Sequence, residues 1–434
     1  MLHDAGAEAV ALGTWNNAAT LAAAVKKMRP RVPLALATTA NTPDTEEFTK
    51  TAELAAELEN TGTTVSYAMK TAEKLKSPVD DTAAIREAIK EDTKKAEKAE
   101  RPGALTISGA DFVADAWDGA IGYFRQYNSR KTGFEDIDKY LTLYPGLAIL
   151  TGVSSLGKTS FAVQLADQLA DAGETVLFFS LEQAPIELFT KSLTRKLAAR
   201  GTDLQMTNTE IRNGATCPNL EKVKKEYCET TGRRVFLTEA SFETTADDIV
   251  EGVRGFEARH KVRPVVIIDY LQLLAAPQDP AGRRLDDRGR VDDAVKKLRR
   301  LAVDDQIFIL AISNMARASY NERIAPDSFK ESGAIEYTAD YLFGLQLAVL
   351  EEDEFFKKTG SKGGEKETIK AEKQKQIDAA FQETPRRVVF KCIKNRNGRK
   401  DFKAYFIYEP KYDSFWKDPA KHEEGRENIR YIDC

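Results

Sequence analysis

Histidine is scarce in this chain: His3, His260 and His422 are the only ones in 434 residues, and they do not cluster. The four cysteines, Cys217, Cys228, Cys392 and Cys434, form no C-x-x-C pair. Both shortages argue against a zinc site, whose ligands arrive as close-set Cys and His pairs. The thiols read as reduced residues of a cytosolic protein. No apolar run approaches the ~18 residues of a membrane span. The N-terminus also lacks the basic region and apolar core of a secretion signal, so the expected location is the cytoplasm, with no membrane partner. A global basic excess is missing too: 64 Lys and Arg stand against 68 Asp and Glu, for a net charge of -4. Coating of nucleic acid by the whole surface is thereby disfavoured, and any such contact must come from a local patch.

What is present is ample apolar content, 42 %, enough for packed cores in a chain whose length suggests two to three domains. Residues 1–75 alternate strand-like runs ("AEAVAL", "VPLALA", "TTVSYAM") with helical patterns, the rhythm of a small α/β unit that would lack an opening strand. Residues 76–128 form a charged helical linker; its stretch from Pro78 to Arg101 is too poor in apolar positions for a coiled-coil seam, although Ile85 and Ile89 could dock on a neighbour. From 129 to 416 helical and strand patterns alternate as in a large, mostly parallel sheet covered on both faces. Within it, 351–385 reads as a charged, mobile surface insertion. The run "RRVVFKCIKNRNGRKDFKAYFIYEP" reads as a hairpin turning at Asn397-Gly398, and 417–434 as a tail.

One unit carries recognisable chemistry. "GVSSLGKT", from Gly152 to Thr159, satisfies G-x-x-x-x-G-K-[ST] between an apolar strand and a helix. Glycines let backbone amides close around phosphates, and Lys158 supplies positive charge to the β and γ oxygens. Thr159 offers a hydroxyl to Mg²⁺. Gly152, Ser154, Ser155, Gly157, Lys158, Thr159 and Ser160 are therefore the candidate ATP or NTP contacts. "PVVIIDY" delivers Asp269 at the end of an all-apolar strand, where a carboxylate can hold the metal. Glu182, ending "TVLFFSLE", can activate water, or cap the next helix. Lys394 and Arg396, two apart in a strand, share a face. They could reach a neighbouring subunit's γ-phosphate as sensor lysine and arginine finger, or be no more than a basic strand end beside a turn.

In order along the chain, "TGFEDIDKYLT", "GVSSLGKTS", "FFSLEQ", "VVIIDYLQLL", "AISNMARAS", "FKESGAIEYTADYLFGL" and "KNRNG" resemble the ring-forming replicative helicases of the DnaB type. The resemblance spans about 130–416. It implies a RecA-like P-loop NTPase core that hydrolyses nucleotide between subunits of a hexameric homo-oligomer, with single-stranded DNA in the channel, 5′ to 3′ movement, and a primase or loader as further partner. It places catalytic roles on Lys158, Glu182, Lys394 and Arg396 and the metal on Thr159 and Asp269. Asn314 falls where the family has a longer glutamine that reaches the γ-phosphate, while Arg317 keeps that motif's arginine. Lys330, Glu331 and Gly333 match a DNA-facing loop, and Arg283, Arg284, Arg288 and Arg290 fall at a second DNA-proximal loop whose alternative is simple solvation.

"AGAEAVALGTWN" and "VPLALATTANTPDTEEFTKTAELAAELENTG" are similar to the later part of a Toprim domain, as in phage and plasmid primase-helicases. Toprim chemistry needs clustered carboxylates for two metals. The second strand here runs into Ala37-Thr38-Thr39-Ala40-Asn41, without an acid, so primer synthesis is expected to be absent. The overall expectation is an ATP-dependent DNA helicase motor in DNA replication. Its rivals are a RecA-like ATPase that regulates or clusters other proteins without unwinding, and a module holding ATP as a structural ligand.

Overall fold

The computed structural model describes residues 108–201, 205–277, 285–329, 333–352 and 364–420, together with two short strands, β1 (Leu34–Leu36) and β2 (Val65–Tyr67). The chain divides into two compact units, Met1–Trp117 and Asp118–Cys434.

In the first unit, "VPLALA" and "TTVSYAM" do supply strands, paired in parallel with Leu34 opposite Val65. "AEAVAL", the intervening helical patterns and linker residues 76–107 lie outside the described residues. The linker's later part is helical at Gly109–Asp111 and continues as a π-helical turn, Phe112–Ala116.

The second unit is built on one sheet. Its parallel part comprises β3 (Gly146–Gly152), β4 (Val176–Ser180), β5 (Val235–Glu239), β6 (Val265–Asp269), β7 (Phe308–Asn314) and β8 (Tyr341–Leu347). The antiparallel part is β9 (Arg386–Asn395), β10 (Lys403–Glu409) and β11 (Ser414–Lys417). Among the described residues the spatial order is β11-β10-β9-β8-β3-β7-β6-β4-β5. Every residue of β3, β4, β6 and β8 is buried. Strands sandwiched between helices have no solvent face and so read as continuous apolar runs rather than alternating ones.

One face is covered by the helix Lys158–Asp171, whose Phe161, Leu165 and Leu169 join one buried core with Leu150 of β3, Phe343 of β8 and Phe390 of β9. The opposite face takes Ile249, Val253 and Phe256 of the helix Ala246–His260, and Val291, Val295 and Leu298 of the helix Asp287–Asp304. Local sequence sets these boundaries. The helix Ala246–His260 begins where the Thr245 hydroxyl accepts the Asp248 N–H and the Asp248 carboxylate accepts the Thr245 N–H, and it ends at Lys261 with φ 58°.

Two sequence expectations change. Residues 351–385 are not a plain surface excursion: 353–363 lie outside the described residues, and Gly364–Gln382 is a 19-residue helix that buries Ile377 and lays Ala380 and Phe381 against the core. Its dense charge hid three apolar positions at Ile377, Ala380 and Phe381, which share one helical face and suffice to dock it. The hairpin forms as expected, with Asn397-Gly398 inside the connection 396–402; what changes is its end, where a third strand, β11, pairs with β10 at the point where the sequence suggested the chain was leaving the sheet.

Candidate active site

Parallel strands end together, and the chain uses that edge. Gly152, at the end of β3, lies in register with Asn314 at the end of β7, and Ser180, at the end of β4, with Asp269 at the end of β6. Four segments distant in sequence therefore converge beyond one sheet edge, where open α/β folds place their ligands.

The phosphate loop leaves β3 and enters the helix at Lys158 through two left-handed residues, Ser155 (φ 62°) and Gly157 (φ 95°). Gly157 is required twice. Its φ disfavours a side chain, and an added Cβ would sit 2.7 Å from Cζ of Tyr408, whose ring stacks on Phe415 at 4.3 Å. Gly157→Ala is expected to cost about 2 kcal/mol or more of stability, from left-handed strain and overpacking, and to weaken nucleotide binding about tenfold or more. Thermal unfolding and titration with a fluorescent nucleotide check the two effects.

Lys158 donates to the Gly152 carbonyl at 2.9 Å and the Val153 carbonyl at 3.1 Å, curling back over its own loop. Thr159 donates to Asp269 Oδ2 at 2.7 Å. Burial pushes the Asp269 carboxyl up to about 6, against the Thr159 hydrogen bond, with the Glu182 charge adding to the rise and Lys158 opposing it. Burial likewise lowers the Lys158 ammonium, with Asp269 and Glu182 pulling it back up. Glu182 is exposed in the turn after β4, two residues beyond the strand the sequence suggested it would end, yet its field reaches both groups. A hydroxyl and one carboxylate beside a phosphate loop fit Mg²⁺, which takes few protein oxygens and completes its shell with phosphate and water.

Ser154 and Ser155 are exposed on the loop. Ser160 is buried; its hydroxyl donates to Asp413 Oδ1 at 2.6 Å and accepts from Tyr408 at 3.3 Å, so any phosphate contact would fall to its main-chain N–H. Asn314 is half-buried, and its N–H donates to Gln272 Oε1 at 3.1 Å while Gln272 Nε2 donates to Ser313 at 2.9 Å.

Lys394 and Arg396 are elsewhere. Arg396 follows the end of β9, and its N–H donates to the carbonyl of Asp340, five residues before Leu345, the register partner of Gly152. At ~3.3 Å per residue that is about 17 Å along the strands, at the opposite edge of the sheet from the phosphate loop. The two are also not simple neighbours on one strand face: Lys394 donates to the Glu336 carbonyl at 2.7 Å, and Arg396, past the strand, pairs with Asp340 at 3.1 Å.

Of the DNA-facing candidates, Lys330, Glu331, Arg283 and Arg284 lie outside the described residues. Gly333 is exposed and opens the helix Gly333–Thr338. Arg288 and Arg290 are not in a loop but in the first turn of the helix Asp287–Asp304, because the Asp286 carboxylate accepts the Gly289 N–H and starts the helix early. Arg290 pairs with Asp287 at 3.0 Å.

Sequence reasoning missed the support on the far side of the phosphate loop. Arg386 donates to the Ser155 carbonyl at 3.0 Å, and Asp413 also accepts from Lys191 at 2.8 Å and Asn208 at 3.0 Å. The one available signal was the alternation in "AYFIY", which turns Tyr408 inward.

The "DnaB-like helicase C terminal domain" family matches residues 130–416. The replicative DNA helicase DnaB of Haemophilus influenzae is 29 % identical over 219 residues, 49 % of this chain and 44 % of that protein. That of Helicobacter pylori (strain ATCC 700392 / 26695) is 24 % identical over 254 residues, 55 % of this chain and 50 % of that protein. The chain thus spans about half the length of these curated relatives or less. Among solved structures, an ATPase domain superimposes with a TM-score of 0.54 at 17 % identity, covering 72 % of this chain and 100 % of that one. A DnaB-like replicative helicase solved for its interactions with primase superimposes with a TM-score of 0.53 at 16 % identity, covering 86 % and 80 %. Both show a shared fold. No helix among the described residues is long and apolar enough to cross a membrane.

Proposed function

We propose, from the premise that this chain belongs to the family of the DnaB-like helicase C-terminal domain, that it is the motor of a replicative DNA helicase that splits ATP or another NTP between subunits of a ring. The observation that carries this reading is the division of the machinery between two edges of one sheet. Lys158, Thr159 and Asp269 stand together at one edge, and Lys394 and Arg396 at the other. A single copy does not bring Lys394 and Arg396 to its own phosphate loop, which supports a second copy as their source.

In this scheme Lys158 and the loop amides bind the phosphates, and Thr159 and Asp269 hold Mg²⁺. When bound, the ion neutralises charge on the phosphate oxygens. Glu182 orients and deprotonates the attacking water. The partner copy's arginine meets charge developing in the transition state. Lys330, Glu331 and Gly333, with Arg283, Arg284, Arg288 and Arg290, grip the single strand in the channel, and movement runs 5′ to 3′. A hexamer, and a primase or loader as partner, follow from the same reading. Residues 1–75 make no primers, because Ala37 to Asn41 offers no carboxylate after the second strand-like run.

A forked duplex with a 5′ tail tests the whole. Strand separation that needs Mg²⁺-ATP, with turnover stimulated by single-stranded DNA, is expected. ATP turnover without strand separation would favour a regulatory ATPase instead. Glu182→Gln is expected to lower turnover about a hundredfold or more with nucleotide affinity kept, as measured by steady-state hydrolysis and titration.

A further inference from the structure

Asp340 stands immediately before β8 and is buried. Its carboxylate gathers partners from three separate elements. Oδ1 pairs with Arg396 Nη1 at 3.1 Å, while Oδ2 accepts from Arg299 Nε at 2.7 Å and from the Leu147 N–H at 3.0 Å. Its main chain closes the same knot, donating to the Leu147 carbonyl at 2.9 Å and accepting from the Arg396 N–H at 3.1 Å. Gly146 makes the room: a Cβ there would meet Asp340 Oδ2 at 2.9 Å.

A buried carboxylate needs a cation, and Arg299 on the helix Asp287–Asp304 already provides one. Arg396 is the second, so neutralisation of Asp340 does not require it. Its side chain is 54 % exposed, whereas that of Arg299 is 21 % exposed. A guanidinium has five donors in a rigid plane, so one edge can be anchored while another is offered outward. A long, half-exposed side chain without such an anchor would have to be ordered each time it reached an anion.

We propose that Asp340 is the positioning residue of the trans-acting arginine: it holds one edge of Arg396 so that the remaining donors face the γ-phosphate bound by the adjacent copy of this chain, with Arg299 carrying the neutralising charge. The proposal rests on the reading above that Arg396 acts across a subunit interface. The competing role is bracing of β3 through Leu147. Damage at Asp340 would then fall on the subunit's own phosphate loop rather than on its neighbour's.

Subunit mixing separates the two, read by steady-state ATP hydrolysis with single-stranded DNA. Asp340→Asn keeps the shape and removes the charge. Alone, it is expected to lose about tenfold or more in kcat, with KM for ATP within about twofold of the parent. Mixed with Lys158→Ala subunits, which lack their own phosphate lysine but keep Asp340 and Arg396, it is expected to regain activity, because the intact arginine then comes from the neighbour. Arg396→Ala mixed with Lys158→Ala is the control. Failure of the control to regain activity overturns the intersubunit site and this proposal with it. Recovery in the control but not with Asp340→Asn, a parental kcat, or a change confined to KM leaves the arginine reading standing and overturns the role of Asp340. If Asp340→Asn does not fold, Asp340→Glu, which keeps the charge and displaces it by one methylene, is mixed in the same way: a kcat loss regained on mixing supports the role, and any other result overturns it.

Discussion

Arg396→Ala is expected to lower ATP turnover ~10³-fold or more while leaving nucleotide affinity close to the parent value. The separation of these two effects follows from geometry. Arg396 lies at the sheet edge opposite the phosphate loop, bonded to Asp340, and contributes nothing to the loop of its own chain. Its charge matters only where negative charge grows in the transition state, so its loss should appear in kcat and not in KM. Lys158→Ala should do the reverse and remove binding first, because that ammonium sits over the loop itself. Hydrolysis rate and equilibrium nucleotide titration, measured on the same preparation, decide the matter. An Arg396→Ala protein that turns over ATP at the parent rate would leave no place for a shared site.

Asp269→Asn should have two large effects of opposite sign. Loss of the metal carboxylate removes several kcal/mol of charge stabilisation, so turnover with Mg²⁺-ATP should fall about a hundredfold or more. Without Mg²⁺ and nucleotide, the same change should stabilise the fold. Burial holds the Asp269 carboxyl at about 6, above its ordinary value of 3.8. In the unfolded chain it titrates near ~3.9, a difference of about two units worth on the order of 3 kcal/mol. Below pH ~4 both states are protonated and the raised value favours the folded state in full. As pH rises through about 6 the folded state must accept a buried charge, and that contribution is lost. An asparagine never accepts it. The midpoint of thermal unfolding should therefore be higher for Asp269→Asn than for the parent at pH 8, with the gap closing toward pH 4. A parent protein that is the more stable of the two at pH 8 would mean that the carboxylate is held there as a favoured anion, contrary to its surroundings.

The geometry around Lys158 was readable because its signals are local. A strand, a glycine-bearing loop and a helix follow one another in sequence as they do in the structure, and an apolar strand ending in Asp269 does deliver a buried carboxylate beside them. Less legible were features that depend on what packs against them. The helix Gly364–Gln382 reads as a charged insertion because only one side of it meets the core. Arg288 and Arg290 read as loop residues, whereas one aspartate at the N-cap draws them into a helix. Asp413, 253 residues from Ser160 in the chain, joins the phosphate-loop helix only because β10 and β11 return alongside it.

The strands of the parallel sheet, the class of fold and the strand–loop–helix form of Gly152–Thr159 follow from runs of a few residues, and for those the chain alone was sufficient. Each depends on local steric and hydrophobic patterning, which is written in neighbouring residues. Which edge of the sheet receives Lys394 and Arg396 was settled only by the tertiary structure. An antiparallel β9 reverses the chain direction after β8, and it is this reversal that carries both cations away from their own phosphate loop. Asp340 could become the partner of Arg396 only once β3, β8 and the helix Asp287–Asp304 had met around it, because a buried carboxylate takes its meaning from partners that no short stretch of sequence contains.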